Sequence, residues 1–243
     1  MKKEAYFATA EELARGGLET IPPQMNSGKH LIYSSPATLA FNSPGAEGFG
    51  VKRAGLAVPD SIMLIVAPGC CGRNTSLISS MPEYNDRFFY LMMDETDIVT
   101  GRHLKKIPKA VKEICDCCEK KPSVVMICIT CVDALLGTDM ERVCRKAEEK
   151  VDIPVRPCYM YALTREGRKP PMVHVRQSLY SLLEPQKKKG NVVNLLGFFS
   201  PLVDDCEMYE LLQQAGVKTI HEISRCKDYE EYQTMSQANF NLV

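Results

Sequence analysis

Short apolar runs that alternate with helix-patterned segments are the feature of this chain that most constrains its fold. From Ser61 onward the runs SIMLIVAPG, FFYLMM, SVVMICIT and NVVNLLG have the length of strands. Between them lie segments such as GRHLKKIPKAVKEICDCCEKK, whose apolar residues recur every three or four positions. The short runs indicate buried strands, and the longer periodicity indicates amphipathic helices. Their alternation predicts an α/β fold with a doubly wound, mainly parallel sheet.

Each element can be assigned an approximate span. We predict strands at about 62–67, 88–93, 123–129 and 191–196 in one mainly parallel sheet, with helices at 102–118 and 204–215 packed on it. Further helices are predicted near 9–15, through MERVCRKAEEK and at 175–184, and further strands in VDIPVRPC and VKTIHEIS. The helix after the strand NVVNLLG should open at Ser200, with Pro201 at its first position, and stop at Gly216.

The chain divides into two regions by composition. Residues 1–60 carry much of the glycine and proline and show weak periodicity, so we predict a loop-rich N-terminal arm that covers the domain. Residues 61–243 are predicted to form one Rossmann-like domain.

Composition excludes several classes of function. The 30 basic and 30 acidic residues cancel and form no basic stripe, so nucleic-acid binding is not expected. A membrane span needs about 18 consecutive apolar residues, and no such run occurs. The start MKKEAYFATAEELARGG lacks the apolar stretch of a signal peptide, which predicts a cytoplasmic protein. Eleven cysteines in such a protein are better explained as thiols or metal ligands than as disulfides.

Two cysteine sites follow predicted strands. Cys70 and Cys71 come after SIMLIVAPG, and Cys131 comes directly after SVVMICIT. The carboxyl ends of parallel strands meet at the edge where α/β proteins bind ligands, and helix N-termini there favour thiolates. Cysteine thiolates are the usual ligands of iron-sulfur clusters. Cys71 and Cys131, with Cys70 as a competitor for iron, are therefore the candidate metal ligands.

The cysteine pattern also fits two alternative roles. Cysteine is often a buried core residue, and Cys115, Cys118, Cys128, Cys144 and Cys206 fit that role. Alternatively, Cys115, Cys118, Cys128 and Cys131 form a C-x2-C-x9-C-x2-C pattern that resembles a zinc site. The four histidines lie far apart, and each is expected to be a surface or hydrogen-bonded residue. No residue is assigned to catalysis.

The two cysteine turns resemble those of nitrogenase component 1 proteins. Ala67-Pro68-Gly69-Cys70-Cys71-Gly72 resembles the family's G-P-x-G-C-G turn, with Cys71 at the ligand position. The segment from Cys131 to Asp139, CVDALLGTD, resembles a ligand cysteine followed by L-I-G-D-D. Three weaker likenesses follow in the same order along the chain. Gln177-Ser178-Leu179 resembles an S-Q-S-L segment, and the strand from Asn191 to Gly197 resembles the strand that closes the family's first domain. Asn241-Leu242-Val243 resembles an N-L-V stretch.

The resemblance implies a low-potential iron-sulfur cluster and its partners. Some family members have a third ligand cysteine in a preceding loop, but the corresponding segment from Phe41 to Ala46 contains none. A 4Fe-4S cluster shared between two subunits would then take Cys71 and Cys131 from each, in a homodimer or a heterodimer with a related subunit. The implied electron donor is an ATP-dependent iron-sulfur reductase.

Two functions are consistent with this resemblance. The chain is either a nitrogenase-like oxidoreductase subunit that passes electrons to an unknown substrate, or a shortened scaffold or relay module that carries a cluster without its own active site. The family's chains are much longer, which favours the second.

Overall fold

The structure, a computed structural model, describes residues 10–17, 51–69, 79, 82–130, 132–133, 136–159, 171–197 and 199–243. The candidate ligands Cys70, Cys71 and Cys131 lie outside these residues. The α-helices within the described residues are α1 (Ala10–Gly16), α2 (Val51–Gly55), α3 (Glu95–Thr100), α4 (His103–Cys117), α5 (Met140–Val151), α6 (Pro171–Tyr180), α7 (Glu207–Gln214) and α8 (Tyr229–Thr234). The strands are β1 (Ile62–Ala67), β2 (Phe88–Met92), β3 (Val125–Ile129), β4 (Val155–Tyr159), β5 (Lys189–Leu195), β6 (Thr219–Glu222) and β7 (Ala238–Leu242). Among the described helices, none has the length and apolar character needed to cross a membrane.

The first four strands form a parallel sheet in the order β2-β1-β3-β4. Every residue of β1 and of β3 is buried, as expected for continuous apolar runs at the centre of a sheet covered on both faces. Helices alternate with these strands along the chain. The predicted α/β fold with parallel sheets is therefore confirmed.

Side chains of the two central strands alternate between two cores. Ile62, Leu64 and Val66 pack with α4 and α5 on one face, in a cluster that includes Ile107 and Val143. Met63, Ile65 and Ala67 pack on the other face, where α2, α6 and the segment around Tyr232 contribute. Helix α2 lies within the predicted arm, yet its Ala54 is fully buried in this second core. The boundary at residue 60 stays a prediction.

The prediction of a single sheet is wrong for the strand at 191–196. It corresponds to β5, which forms a separate parallel sheet in the order β6-β5-β7. The outer edge of β4 is unsuited to a further strand, because Pro157 has no N–H to donate to a neighbour. Helix α6 also covers that edge, since Ser178 Oγ donates a hydrogen bond to Pro157 O at 2.9 Å.

The helix after β5 begins later than predicted. Neither Ser200 nor Pro201 is helical, and α7 begins at Glu207 with Cys206 as its N-cap. The intervening loop is held to the end of β6: Leu202 N donates to Glu222 Oε2 at 2.8 Å. Arg225 Nη2 donates back to Leu202 O at 2.6 Å. The predicted stop is confirmed, because Gly216 has a φ of 91° just beyond α7.

The other helices agree with their predicted positions to within a few residues. Helices α1, α4 and α5 match the spans near 9–15, 102–118 and MERVCRKAEEK, whereas α6 begins at Pro171 rather than at 175. The segment from Tyr232 to Met235 connects β5 of the second sheet to α6, which packs on the first sheet. Tyr232 Oη donates to Leu179 O at 2.5 Å, and Asn194 Nδ2 donates to Met235 O at 2.9 Å.

Candidate metal centre

The carboxyl ends of β1 and β3 lie side by side. The two strands pair in parallel with Val66 opposite Ile129, so that Ala67 and Thr130 follow at the same edge of the sheet. The turn with Cys70 and Cys71 begins beyond Ala67, and Cys131 follows Thr130. The chain therefore leaves two neighbouring strands at one edge immediately before the candidate ligands.

Asp133 and His103 form a buried pair beside this edge. Both are nearly inaccessible to solvent, with exposed fractions of 0% and 1%. His103 Nε2 lies 3.0 Å from Asp133 Oδ1, and His103 Nδ1 lies 3.0 Å from Asp97 O. The carbonyl can only accept, so Nδ1 carries a proton. The contact between Nε2 and Oδ1 needs one more proton, so the pair is neutral overall whichever atom holds it.

This pair fastens the turn after β3 to the helices α3 and α4. Thr138 Oγ1 donates to Asp133 Oδ1 at 3.0 Å, and Thr138 N donates to Asp133 O at 3.1 Å. Asp97, which provides the carbonyl for His103, also accepts a 2.6 Å hydrogen bond from Lys106 Nζ on its carboxylate. That bond from Lys106 lowers the pKa of Asp97. A continuous set of hydrogen bonds thus connects Lys106 at the surface with Asp133, which lies two places after Cys131.

Two buried polar atoms in this segment have no hydrogen-bond partner in the described part of the chain. They are Thr130 Oγ1 and Asp133 Oδ2, one on each side of position 131. Buried polar groups are nearly always paired, so the unpartnered hydroxyl of Thr130 is a donor that a group bound at this edge could accept from. Polar atoms around a thiolate ligand are the usual surroundings of a protein-bound metal centre. The hydroxyl donor of Thr130, next to the candidate ligand Cys131, therefore fits an iron-sulfur cluster, whose sulfurs accept hydrogen bonds.

The cysteines of the alternative zinc pattern do not converge. Cys128 packs in the core on one face of the sheet, whereas Cys115 and Cys118 pack against the core on the opposite face. The sheet separates Cys128 from Cys115 and Cys118, so these three described members of the C-x2-C-x9-C-x2-C pattern cannot share one ion. Among the described residues, no group of three or more potential ligands is arranged to hold a metal.

Of the five cysteines predicted as core residues, Cys128 and Cys144 are buried, Cys115 and Cys118 are half-buried against the core, and Cys206 is half-buried at the N-cap of α7 rather than within a helix. Cys128 and Cys158 face each other on β3 and β4, and both are fully buried. Their mutual hydrogen bond, together with burial, raises the pKa of Cys158. Burial raises the pKa of Cys144 to about 12. Cys117 is the exposed exception among the described cysteines.

A surface cavity of about 650 Å³ lies next to the turn after β3. Its lining combines exposed apolar side chains with three basic residues, namely Val99, Leu136, Lys105, Arg142 and Lys146. Val99 is 85% exposed and Leu136 is 51% exposed. His103 and Thr138 also contribute, so the cavity borders the buried pair described above.

A family model for nitrogenase component 1 type oxidoreductases matches residues 47–243 of the chain. The chain belongs to this family. The match covers most of the chain, including both cysteine turns, and it confirms the resemblance predicted from sequence.

Several relatives of this nitrogenase component 1 type chain share one name. The nitrogenase iron-molybdenum cofactor biosynthesis protein NifE of Nostoc sp. is 26% identical over 193 residues, which covers 76% of this chain and 40% of NifE. The NifE of Rhizobium meliloti is 29% identical, with 70% and 37% covered. The NifE of Klebsiella pneumoniae is 26% identical, with 82% and 48% covered. The chain thus spans less than half the length of these relatives.

A solved structure supports the fold. Nitrogenase Cp1 at pH 6.5 superposes with a TM-score of 0.56 at 20% identity, covering 79% of this chain and 40% of the other. At that identity the likeness shows the shared fold alone.

No sequence pattern points to the pair of Asp133 and His103. Each histidine is predicted to be a surface or hydrogen-bonded residue, and His103 is hydrogen-bonded. Its partner lies 30 positions away, so no local spacing links the two. An aspartate two places after a candidate ligand was the one available signal.

Proposed function

We propose that the chain is an iron-sulfur subunit of nitrogenase component 1 type, with Cys71 and Cys131 as the protein ligands of a low-potential 4Fe-4S cluster. The observation that carries this proposal is the parallel, in-register pairing of β1 and β3. It brings the chain segments before both cysteines to one edge of the sheet. When bound, such a cluster supplies one-electron redox chemistry at low potential.

Two cysteines per chain satisfy half of the ligand positions of a 4Fe-4S cluster. A two-fold axis through the cluster would supply the other half from a second chain, either an identical one or a related subunit. The proposed partner is an ATP-dependent iron-sulfur reductase. A cytoplasmic location follows from the same proposal.

The cavity beside the turn after β3 is the surface we propose for docking of the reductase. Val99 and Leu136 provide exposed apolar contacts, and the basic lining residues Lys105, Arg142 and Lys146 outnumber the acidic Asp139. Electron transfer requires a short path to the donor, and this surface adjoins the turn that carries Cys131. A partner with an acidic rim around an apolar centre would fit.

A second candidate function is a scaffold on which a metal cofactor is assembled. The names of the relatives favour it, because the NifE proteins are named for biosynthesis of the iron-molybdenum cofactor. The two candidates differ in what leaves the loaded chain. An oxidoreductase subunit passes on electrons and keeps its iron, whereas a scaffold passes iron and sulfur to an acceptor protein.

Removal of the ligands tests the site. The chain is reconstituted anaerobically with iron and sulfide, and iron per folded chain and visible absorbance are measured. Cys131→Ala, and Cys71→Ala combined with Cys70→Ala, should each abolish the iron-sulfur absorbance. The controls Cys115→Ser and Cys118→Ser should keep full iron, because these half-buried thiols lie at the end of α4. Full iron in a chain without Cys70, Cys71 and Cys131 would refute the site.

A second experiment separates the two functions. The loaded chain is mixed with an ATP-dependent iron-sulfur reductase and ATP, and the cluster's EPR signal and iron content are followed. Reduction with retention of iron supports the oxidoreductase subunit. Loss of iron to a cluster-free acceptor protein supports the scaffold.

A further inference from the structure

Thr130 is the residue between the buried strand β3 and the candidate ligand Cys131. Its side chain is 1% exposed, and its hydroxyl has no hydrogen-bond partner among the residues that the structure describes. A hydroxyl buried in this way is destabilising, because it has lost its water and gained no replacement. A valine of nearly the same shape would avoid that loss.

The other unpartnered atom in this segment, Asp133 Oδ2, does not accept a hydrogen bond from the Thr130 hydroxyl. Asp133 Oδ2 is an acceptor and Thr130 Oγ1 carries a proton, yet both are unpartnered in the described structure. The neighbouring acceptor at Asp133 Oδ1 is already engaged by Thr138 and His103. The hydroxyl proton of Thr130 is therefore available to an acceptor that binds at this edge of the sheet.

We propose that Thr130 donates a hydrogen bond to a sulfur of the bound iron-sulfur cluster, either a cysteine thiolate or a bridging sulfide, and so raises its reduction potential. This inference rests on the proposed function, which puts the cluster on the residue next to Thr130. Hydrogen bonds to cluster sulfurs stabilise the reduced state, because reduction increases the negative charge that the donor proton faces. Thr130 thus adjusts the reduction potential of the cluster and is not one of its ligands.

The reduction potential of the reconstituted full chain tests this role. Thr130→Val removes the donor and preserves the shape, so the equilibrium constant for one-electron reduction should fall by up to about tenfold. A tenfold fall lowers the potential by about 59 mV for one electron. Thr130→Ser keeps a hydroxyl and should restore most of the wild-type potential. Thr219→Val, at the exposed first position of β6 in the other sheet, should leave the potential unchanged.

The protein without cluster provides a second readout. Its Thr130→Val variant should melt at the same or a higher temperature than wild type, because the unpartnered hydroxyl is gone. A lower melting temperature would show that the hydroxyl already has a partner in the protein, and would overturn the inference. A merely structural role of Thr130 would change the melting temperature without changing the potential.

The failure of this inference is distinguishable from the failure of the proposed function. If wild type loads a cluster and Thr130→Val has an unchanged or higher potential, only the role of Thr130 is refuted. If Thr130→Val and Thr130→Ala both fold but load no iron, Thr130 is needed to hold the cluster, and tuning is again refuted. If wild type itself loads none, the proposed function falls and this inference falls with it.

Discussion

Asp133 shows how one buried side chain can hold a functional turn without being a ligand. Its carboxylate is completely buried, and it accepts from Thr138 while sharing a proton with His103. Pairing of this kind keeps a charged or polar group stable inside a protein. The pair therefore fixes the segment that follows Cys131 to helices α3 and α4.

Removal of one member of the pair should destabilise the fold strongly. Asp133→Ala leaves His103 buried with one ring nitrogen unpaired, and we expect the free energy of unfolding to fall by about 3–5 kcal/mol. Asp133→Asn should be milder, because its amide can donate to the unprotonated Nε2. Urea titration of the cluster-free chain measures both. Asp116→Ala, at an exposed ion pair with Lys112, is the control and should change stability by less than about 0.5 kcal/mol. An equally small effect of Asp133→Ala would contradict this role.

At the scale of elements, the strands and helices with a clear local pattern of apolar residues could be predicted from the sequence. Strands β1 and β3 are continuous apolar runs, and their buried positions in the sheet follow from that composition. The separate sheet of β5 was missed, because it depends on Pro157 and Ser178 at the edge of β4. The start of α7 was missed because the contact between Leu202 and Glu222 joins residues 20 positions apart. The unpartnered hydroxyl of Thr130 and the pair of Asp133 and His103 likewise could not be predicted, because both depend on residues that only folding brings together.

The packing of α2 on the sheet offers a prediction at this scale. A Cβ on Gly55 would lie 2.5 Å from Met63 Cε and 3.2 Å from Cys158 Sγ. The Met63 methyl group can shift, but Cys158 Sγ in the same buried core leaves little room, so Gly55→Ala should cost about 1 kcal/mol despite the higher helix propensity of alanine. Gly190→Ala, at the exposed start of β5 with nothing within 4 Å of an added Cβ, should cost less than about 1 kcal/mol. Thermal unfolding of the two variants measures the difference, and equal melting temperatures would contradict the close approach of α2.

At the scale of the whole molecule, the number of ligands determines the expected assembly. The proposed site has two thiolates in one chain, and a 4Fe-4S cluster takes four. The same sheet edge that brings the strands before Cys71 and Cys131 together would therefore lie on the interface between two chains. Cluster binding and association of chains are then one linked equilibrium, in which each stabilises the other.

The cluster-loaded chain should have twice the mass of one chain in light scattering, with about four iron atoms per pair of chains. Removal of iron by a chelator should shift the population toward single chains, because the ligands of the two protomers are then no longer bridged. Cys131→Ala should remain at the mass of one chain under loading conditions. Cys117→Ala, which removes an exposed thiol at the end of α4, should dimerise as wild type does. A loaded wild-type chain that holds about four iron atoms at the mass of a single chain would refute the shared site, because the other ligands would then have to come from the chain itself.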